Sequence, residues 1–419
     1  MRSLPWSDDI GATVAALRAF APPAAGVRAV VESIVRDVRE RGDDAVREYT
    51  ERLDGVELPA AYAVPAERLS ECLSALAPGL REALELAAAN VRAYHEREAV
   101  PPWRATLAQG QLVGQEIVPL AVAGLYVPGG LADYPSSVLM TAIPAQVAGV
   151  GRVVVCSPPR PGGGAAAGVA AACALLGVSD LYPIGGAQAV AAMACGTAAV
   201  PRCDVIVGPG NAYVTEAKRQ VVGEVAIDGL AGPSEVLVIS DETGEPAWLA
   251  ADLLAQAEHG AGAMACLADV GGALGAQVAA EVERLAAELG IAHDNVAIVA
   301  CPDAAAAVAL SNAFAPEHLE LHLAGGRDLV PAIRSAGAVF VGPYAATAFA
   351  DYAAGSNHVL PTGGSARFAQ GLSVDAFQKR MAVVELDGPA AAALAPQVAA
   401  IADEEGLRAH ARSARLRAQ

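Results

Sequence analysis

The chain has 419 residues, 54% of them hydrophobic, and a formal net charge of -18 at pH 7. That length exceeds one ordinary core, so two or more globular domains are expected. The acidic balance argues against a nucleic-acid binder, whose affinity comes largely from Lys and Arg neutralising phosphates, and directs attention to a small molecule or another subunit.

The opening MRSLPWSDDIGATVAAL lacks the charged region followed by an apolar region that a secretion signal needs, so a cytoplasmic location is expected. Residues 26–53 and 79–98 carry apolar residues at spacings of three and four among many charges, the pattern of amphipathic surface helices. From Leu112 the texture changes to short β-branched runs that end in glycine: LVGQEIVPLAVAGLYVPGG, VGRVVVCSPP, SDLYPIGGAQ and CDVIVGPGNAY, separated by Ala-rich helical segments. Strand, glycine loop, helix is the signature of a parallel α/β domain with ligands beyond the strand ends. The apolar stretch around 162–178 is mostly Gly and Ala, flanked by prolines and Asp180, and suits a buried helix better than a membrane span, so no membrane role is expected. A second α/β stretch runs through SEVLVISD (234–241), NVAIVAC (295–301) and AVFVG (338–342), with long helices between. The last fifty residues return to helix and end in the basic LRAHARSARLRAQ.

Seven cysteines are scattered without a CxxC pair, and buried reduced thiols are expected. Histidine is more informative, because four of the seven sit beside acids or amides. In LAQAEHG, Gln256 and His259 stand three apart, so on a helix they share a face and an amide oxygen and an imidazole can converge on a metal ion. The same stretch also fits a plain helix C-terminus, with His259 near the closing Gly260. In FAPEHLEL, Glu317 and His318 follow Pro316, which disfavours helix at Ala315 and predicts a turn that aims two proton acceptors into one cleft. The alternative is a helix start with His318 packed. In DYAAGSNHVLPTGG, Asp351 stands seven residues before His358 and is a candidate third ligand beside Gln256 and His259, in a donor set zinc accepts. His410 lies in DEEGLRAHA, where a solvated helix face is the competing reading. His95, His293 and His322 are read as solvated or structural.

Ten segments in order carry a resemblance over nearly the whole chain: GLYVPGG (124–130), YPSSVLM (134–140), GGAQA (185–189), GPGNAYVTEAKRQV (208–221), AGPSEVLVI (231–239), LAQAEHG, FAPEHLEL, DYAAGSNHVLPT, FQKRM (377–381) and EEGLRAHA. The chain resembles histidinol dehydrogenases. The resemblance implies two Rossmann-like parallel-sheet domains of aldehyde-dehydrogenase type: a helical arm at 1–23, a first α/β domain from 24–124 and 234–372 with most catalytic residues, an NAD-binding domain at 125–233, and a helical dimerisation tail at 373–419. It further implies a homodimer that oxidises L-histidinol to L-histidine with NAD and zinc. Gln256, His259, Asp351 and His410 would hold the zinc and the substrate with it, His410 coming from the neighbouring subunit. Ser234, His318, His358 and Glu405 would contact substrate, Glu317 and His318 would move protons, and Tyr126, Gln188 and Asn211 would contact NAD.

Two features depart from that pattern. Leu131-Ala132-Asp133 follows VPGG with an acid, and PRPGGG (159–164) looks like a lengthened loop. Nor does a GxGxxG follow any strand, so GGAQA and GPGNAY stand by themselves as structural glycine turns or cofactor loops. The expected alternatives are a related dehydrogenase acting on another alcohol such as a sulfonated diol, a zinc hydrolase in which Glu317 activates water without NAD, and a catalytically idle binding protein.

Overall fold

Apolar β-branched runs with glycine at their ends become parallel strands, because each is buried on both faces and the glycine releases the chain into the next helix. The computed structural model describes residues 1–20, 26–129, 132–260 and 262–418. Gly130, Leu131 and the 23/24 junction of the expected arm lie outside the described residues.

Two parallel sheets carry the fold. In the first, the order is Asp180–Tyr182, Arg152–Cys156, Val122–Tyr126, Val205–Val207, Ala226–Ile227. In the second, it is Arg2–Leu4, Val296–Cys301, Met264–Val270, Glu235–Ser240, His318–His322, Ala338–Val341. Alternation divides the second sheet's residues cleanly. Leu237 and Ile239 join the core under helices Ile10–Arg18 and Ala304–Phe314, while Val236 and Val238 join the core under Pro246–Ala257 and Gly275–Leu289. A small antiparallel sheet, Gln378–Glu385, Leu112–Pro119, Trp103–Thr106, stands apart from both.

The expected pair of parallel α/β domains is present, and three segments differ in detail. The arm opens on a strand, since Arg2–Leu4 pairs with Val296–Cys301 before the helix begins. The tail likewise opens on a strand, Gln378–Glu385, and only then forms helices Gly388–Glu404 and Arg408–Leu416, which pack on each other around Ala399, Ala402 and Ala411. Residues 27–95, grouped in sequence with 234–372, lay their four helices on the five-stranded sheet's lobe. Val27–Arg41 and Asp43–Asp54 pack on Gly186–Cys195 and Ala212–Val221, and Ala66–Ser74 and Pro78–His95 pack on Ala167–Leu175 and Pro135–Ala148. An amphipathic helix announces an apolar face and not the surface that covers it.

Candidate active site

Each sheet reverses its strand order once, and the ends of the strands at the two reversals line the same cavity. In the five-stranded sheet the reversal lies between Val122–Tyr126 and Val205–Val207, and the loops leave from the carboxyl ends, the usual ligand position in open α/β sheets. In the six-stranded sheet it lies between Glu235–Ser240 and His318–His322, and the polar residues cluster at the amino ends. A cavity of about 470 Å³ is lined from one sheet by Gly208, Gly210 and Asp228 and from the other by Ser234, Glu317 and His358.

FAPEHLEL forms its turn as expected, and the residues after it extend as a strand. Helix Ala304–Phe314 ends at Ala315, whose backbone is left-handed (φ 51°) and whose N–H bonds Ser311 O at 2.7 Å; Pro316 then blocks any return to helix. His318 pairs with Val236, so Glu317 lies beside the entry to Glu235–Ser240. Its Oε2 accepts from Ser234 Oγ at 2.6 Å and from the Glu235 N–H at 2.9 Å. Burial pushes this carboxyl up to about 8, with the Ser234 hydrogen bond and His259 opposing. His318 Nδ1 lies 3.1 Å from Glu235 O, a contact that requires the proton on Nδ1 and leaves Nε2 with a free lone pair. That Nε2 is buried without a hydrogen bond, 3.7 Å from Asp351 Oδ1. Burial lowers His318 to about 4, so at pH 7 the imidazole is neutral and its Nε2 lone pair is free to accept a proton.

Asp351 sits in the short helix Thr347–Tyr352, and its backbone carbonyl accepts from His358 Nδ1 at 3.0 Å, which leaves His358 Nε2 as the free nitrogen. Burial raises Asp351 to about 6 and lowers His358 to about 4. Helix Pro246–Ala257 follows strand Glu235–Ser240 and runs back along it, so its far end returns to the amino ends of the strands. It ends just before His259, so the helix-end reading of LAQAEHG is correct for the backbone. Gln256 is buried on the last turn with Nε2 unpartnered, and His259 is exposed just beyond, near enough for its charge to act on Glu317, His318 and His358. An amide oxygen, an imidazole and the Asp351 carboxylate are donor types that suit zinc.

Glu405 and His410 are not brought to this cluster within one chain. Both are exposed, Glu405 in the turn between the tail helices and His410 on the last of them, and neither hydrogen-bonds nor pairs with a described residue of the site. Among the described residues, the three donors His/Asp/Glu closest to metal-holding geometry are a different set, Asp252, Glu320 and His322, whose ligand atoms lie within 4.8 Å of one another.

The three residues expected at NAD line a second cleft, of about 520 Å³, on the five-stranded lobe: Tyr126, Gln188 and Asn211, with Asp54 and Gly186. Tyr126 OH accepts from Gly186 N–H at 3.1 Å. Gln188 Nε2 donates to Asp54 Oδ2 at 3.3 Å and its Oε1 is buried without a partner. Asn211 caps helix Ala212–Val221, accepting from the Tyr213 and Val214 N–H groups at 3.0 and 3.1 Å. The backbone comes close to Tyr126 here: a Cβ on Gly208 (φ 111°) would lie 2.1 Å from Tyr126 O.

Sequence reasoning missed what holds that loop. Lys218, 2% exposed, donates to Gly208 O at 2.7 Å and to Asp228 Oδ1 at 2.5 Å, and Asp228 Oδ2 accepts from Gly208 N–H at 2.7 Å. The available signal was the basic residue two helical turns after the Asn211 cap. The acid at position 133 is answered too: Asp133 is ion-paired with Arg160, in the PRPGGG loop that had no evident use. The cysteines are free, none lines either cleft, and burial raises Cys156, Cys173, Cys203, Cys266 and Cys301 above the ordinary thiol range.

Two parallel α/β lobes, one with acid–base residues and the other with glycine loops at a shared cavity, define a two-lobed dehydrogenase scaffold. An acetylating aldehyde dehydrogenase from Geobacillus thermoglucosidasius shares it at the level of fold, with a TM-score of 0.50 and 15% identity over 91% of this chain and 99% of that one. The match to the family described as histidinol dehydrogenase runs over residues 21–418. The histidinol dehydrogenase of Pseudomonas aeruginosa PAO1 is 48% identical over 396 residues, 92% of this chain and 90% of that protein. The crystal structure of histidinol dehydrogenase from Elizabethkingia anophelis superposes with a TM-score of 0.94 at 32% identity, over 100% of this chain and 98% of that one. The chain belongs to the histidinol dehydrogenase family, whose members are NAD-dependent oxidoreductases. No helix among the described residues is long and apolar enough to cross a membrane.

Proposed function

We propose that the chain oxidises L-histidinol to L-histidine through the aldehyde, with Gln256, His259 and Asp351 as zinc ligands, Glu317 and His318 as proton carriers, and the five-stranded lobe as the NAD-binding domain. The observation that carries this is the meeting of Ser234, Glu317, His318, Asp351 and His358 at the amino ends of one sheet, with Ser234, Glu317 and His358 on the cavity that the glycine loop of the other sheet also lines. Bound zinc would supply a Lewis-acidic clamp for the substrate's imidazole and amine, and bound NAD a hydride acceptor for each of two steps. His318 Nε2 removes the alcohol proton as the carbon gives up hydride, leaving the aldehyde. Glu317, which the charge of bound zinc would hold ionised against its burial, takes a proton from water as that water adds to the aldehyde carbon, and His318 then deprotonates the hydrate in the second oxidation. In sum one alcohol, one water and two NAD give one carboxylate, two NADH and three protons. No cysteine lines either cleft to replace water as the nucleophile.

A homodimer with shared sites completes the reading. The tail helices' own core is three alanines, while Met381, Val384, Ile401 and Leu416 are at least half exposed, apolar area that a second copy would cover. Glu405 would then reach the substrate and His410 the zinc across the interface. Mixing inactive Glu317→Ala and His410→Ala subunits tests this, since recovered activity requires one intact site assembled from two chains. Stoichiometry tests the reaction. Two NADH per histidinol, abolished by a chelator and restored by zinc, is expected, and one NADH with aldehyde accumulating would overturn the four-electron assignment.

A further inference from the structure

Asp252, Glu320 and His322 lie behind the site and take no part in the chemistry above. Alternation along His318–His322 puts His318, Glu320 and His322 on one face of the strand, with Leu319 and Leu321 in the core on the other. Glu320 is fully buried and its two oxygens face different helices. Oε1 accepts from Thr347 N–H and Thr347 Oγ, both at 2.7 Å, at the first residue of the helix that carries Asp351. Oε2 has no partner of that kind and faces Asp252, one turn before Gln256 on helix Pro246–Ala257, and His322 Nε2 at 3.5 Å. His322 Nε2 is also without a hydrogen bond, 4.0 Å from Asp252 Oδ2.

We infer that Asp252 and Glu320 form a positioning pair, joined by one shared proton and flanked by His322, that fixes the helix of Gln256 and the helix of Asp351 against the strand of His318. Two carboxylates this close, one fully buried and one half-buried, do not both stay ionised, and a bridging proton satisfies the oxygen that is otherwise orphaned. Burial and the neighbouring Glu320 charge push Asp252 up to about 8, which agrees. A cation is the competing occupant of three such donors. Against it, Glu320 already commits one oxygen to Thr347, and none of the three residues lines either of the two clefts described above. Glu320 thus joins all three elements that bear the proposed ligands and base, so its loss should loosen the zinc set without touching the NAD cleft. That consequence rests on the proposed function; the clamp itself does not.

The test compares Glu320→Ala with Glu320→Gln, whose amide still accepts from Thr347 and donates to Asp252. In metal-free protein, hydrogen exchange across Thr347–Tyr352 should quicken about tenfold or more in Glu320→Ala and less than about threefold in Glu320→Gln. In a chelator competition, Glu320→Ala should weaken zinc about 10- to 100-fold, Glu320→Gln should restore it, and the NAD dissociation constant should hold in both. Unchanged exchange in Glu320→Ala, or equal damage from both variants, would overturn the pair. So would a second zinc equivalent per wild-type chain that Glu320→Gln removes, the sign of a cation site. Wild type that binds no zinc would refute the proposed metal site instead, with the exchange result still deciding the clamp.

Discussion

Lys218→Met removes one ammonium and keeps most of the stem, and the structure sets what that costs. Lys218 is 2% exposed, and its ammonium satisfies both the Gly208 carbonyl and the Asp228 carboxylate, whose side chain is 8% exposed. After the change Asp228 remains buried with two backbone N–H donors and no cation, and Gly208 O loses its partner. Stranding one member of a buried pair typically costs about 3–5 kcal/mol, whereas removing both members costs much less. For a lobe of this size that is a fall in melting temperature of roughly 10 °C. The double variant Lys218→Met, Asp228→Leu should therefore lose less than the sum of the single variants, read as a coupling in a double-mutant cycle by thermal or urea unfolding. Because the pair holds Gly208 beside Asn211, NAD binding by titration calorimetry should weaken as well, while zinc binding should hold. A melting shift below about 2 °C, or strictly additive losses, would show that the pair does not hold the loop.

Three further outcomes follow from the same geometry. Gly208→Ala places a Cβ 2.1 Å from Tyr126 O at a left-handed φ, so it should abolish NAD binding and leave zinc bound; normal NAD affinity would refute the close approach. In metal-free protein Glu317 titrates near 8 when folded against an ordinary carboxylate value of 4.5 when unfolded. The native state therefore holds a proton that the unfolded state has released, and the resulting stability is complete below about 4.5 and lost as pH rises through 8, by up to about 1.4 kcal/mol per unit. Glu317→Gln should flatten that slope in melting curves from pH 5 to 8, and parallel curves would place the titration elsewhere. Alkylation of native enzyme with iodoacetamide should leave oxidation of supplied aldehyde intact, since no cysteine lines the cleft; selective loss of that half-reaction would argue for a thioester.

The parts legible in sequence were those whose physics is local. A β-branched run ending in glycine is a buried strand wherever it packs, so Val122–Tyr126, Arg152–Cys156, Val205–Val207, Glu235–Ser240 and Val296–Cys301 were foreseeable, as was the turn at Pro316. The strand His318–His322 was less so, because its polar residues occupy alternate positions that a half-buried strand would turn to water. Here all five are buried, and the polar face is the Asp252–Glu320–His322 cluster.

What sequence withheld is what depends on covering surfaces. Residues 27–95 present apolar helical faces that fit either lobe, and only three-dimensional packing assigns them to the five-stranded one. The same limit explains His410. A histidine on an exposed helix of a tail whose own core is three alanines looks idle in one chain, and that very lack of a core is the physical reason to seek its partner surface on a second copy. The catalytic cluster and the tail are then one problem. The proposed zinc set within a chain stops at an amide, an imidazole and a carboxylate, the exposed imidazole that would complete it has nothing to hold it in place alone, and association would close that proposed set and cover the exposed apolar residues together.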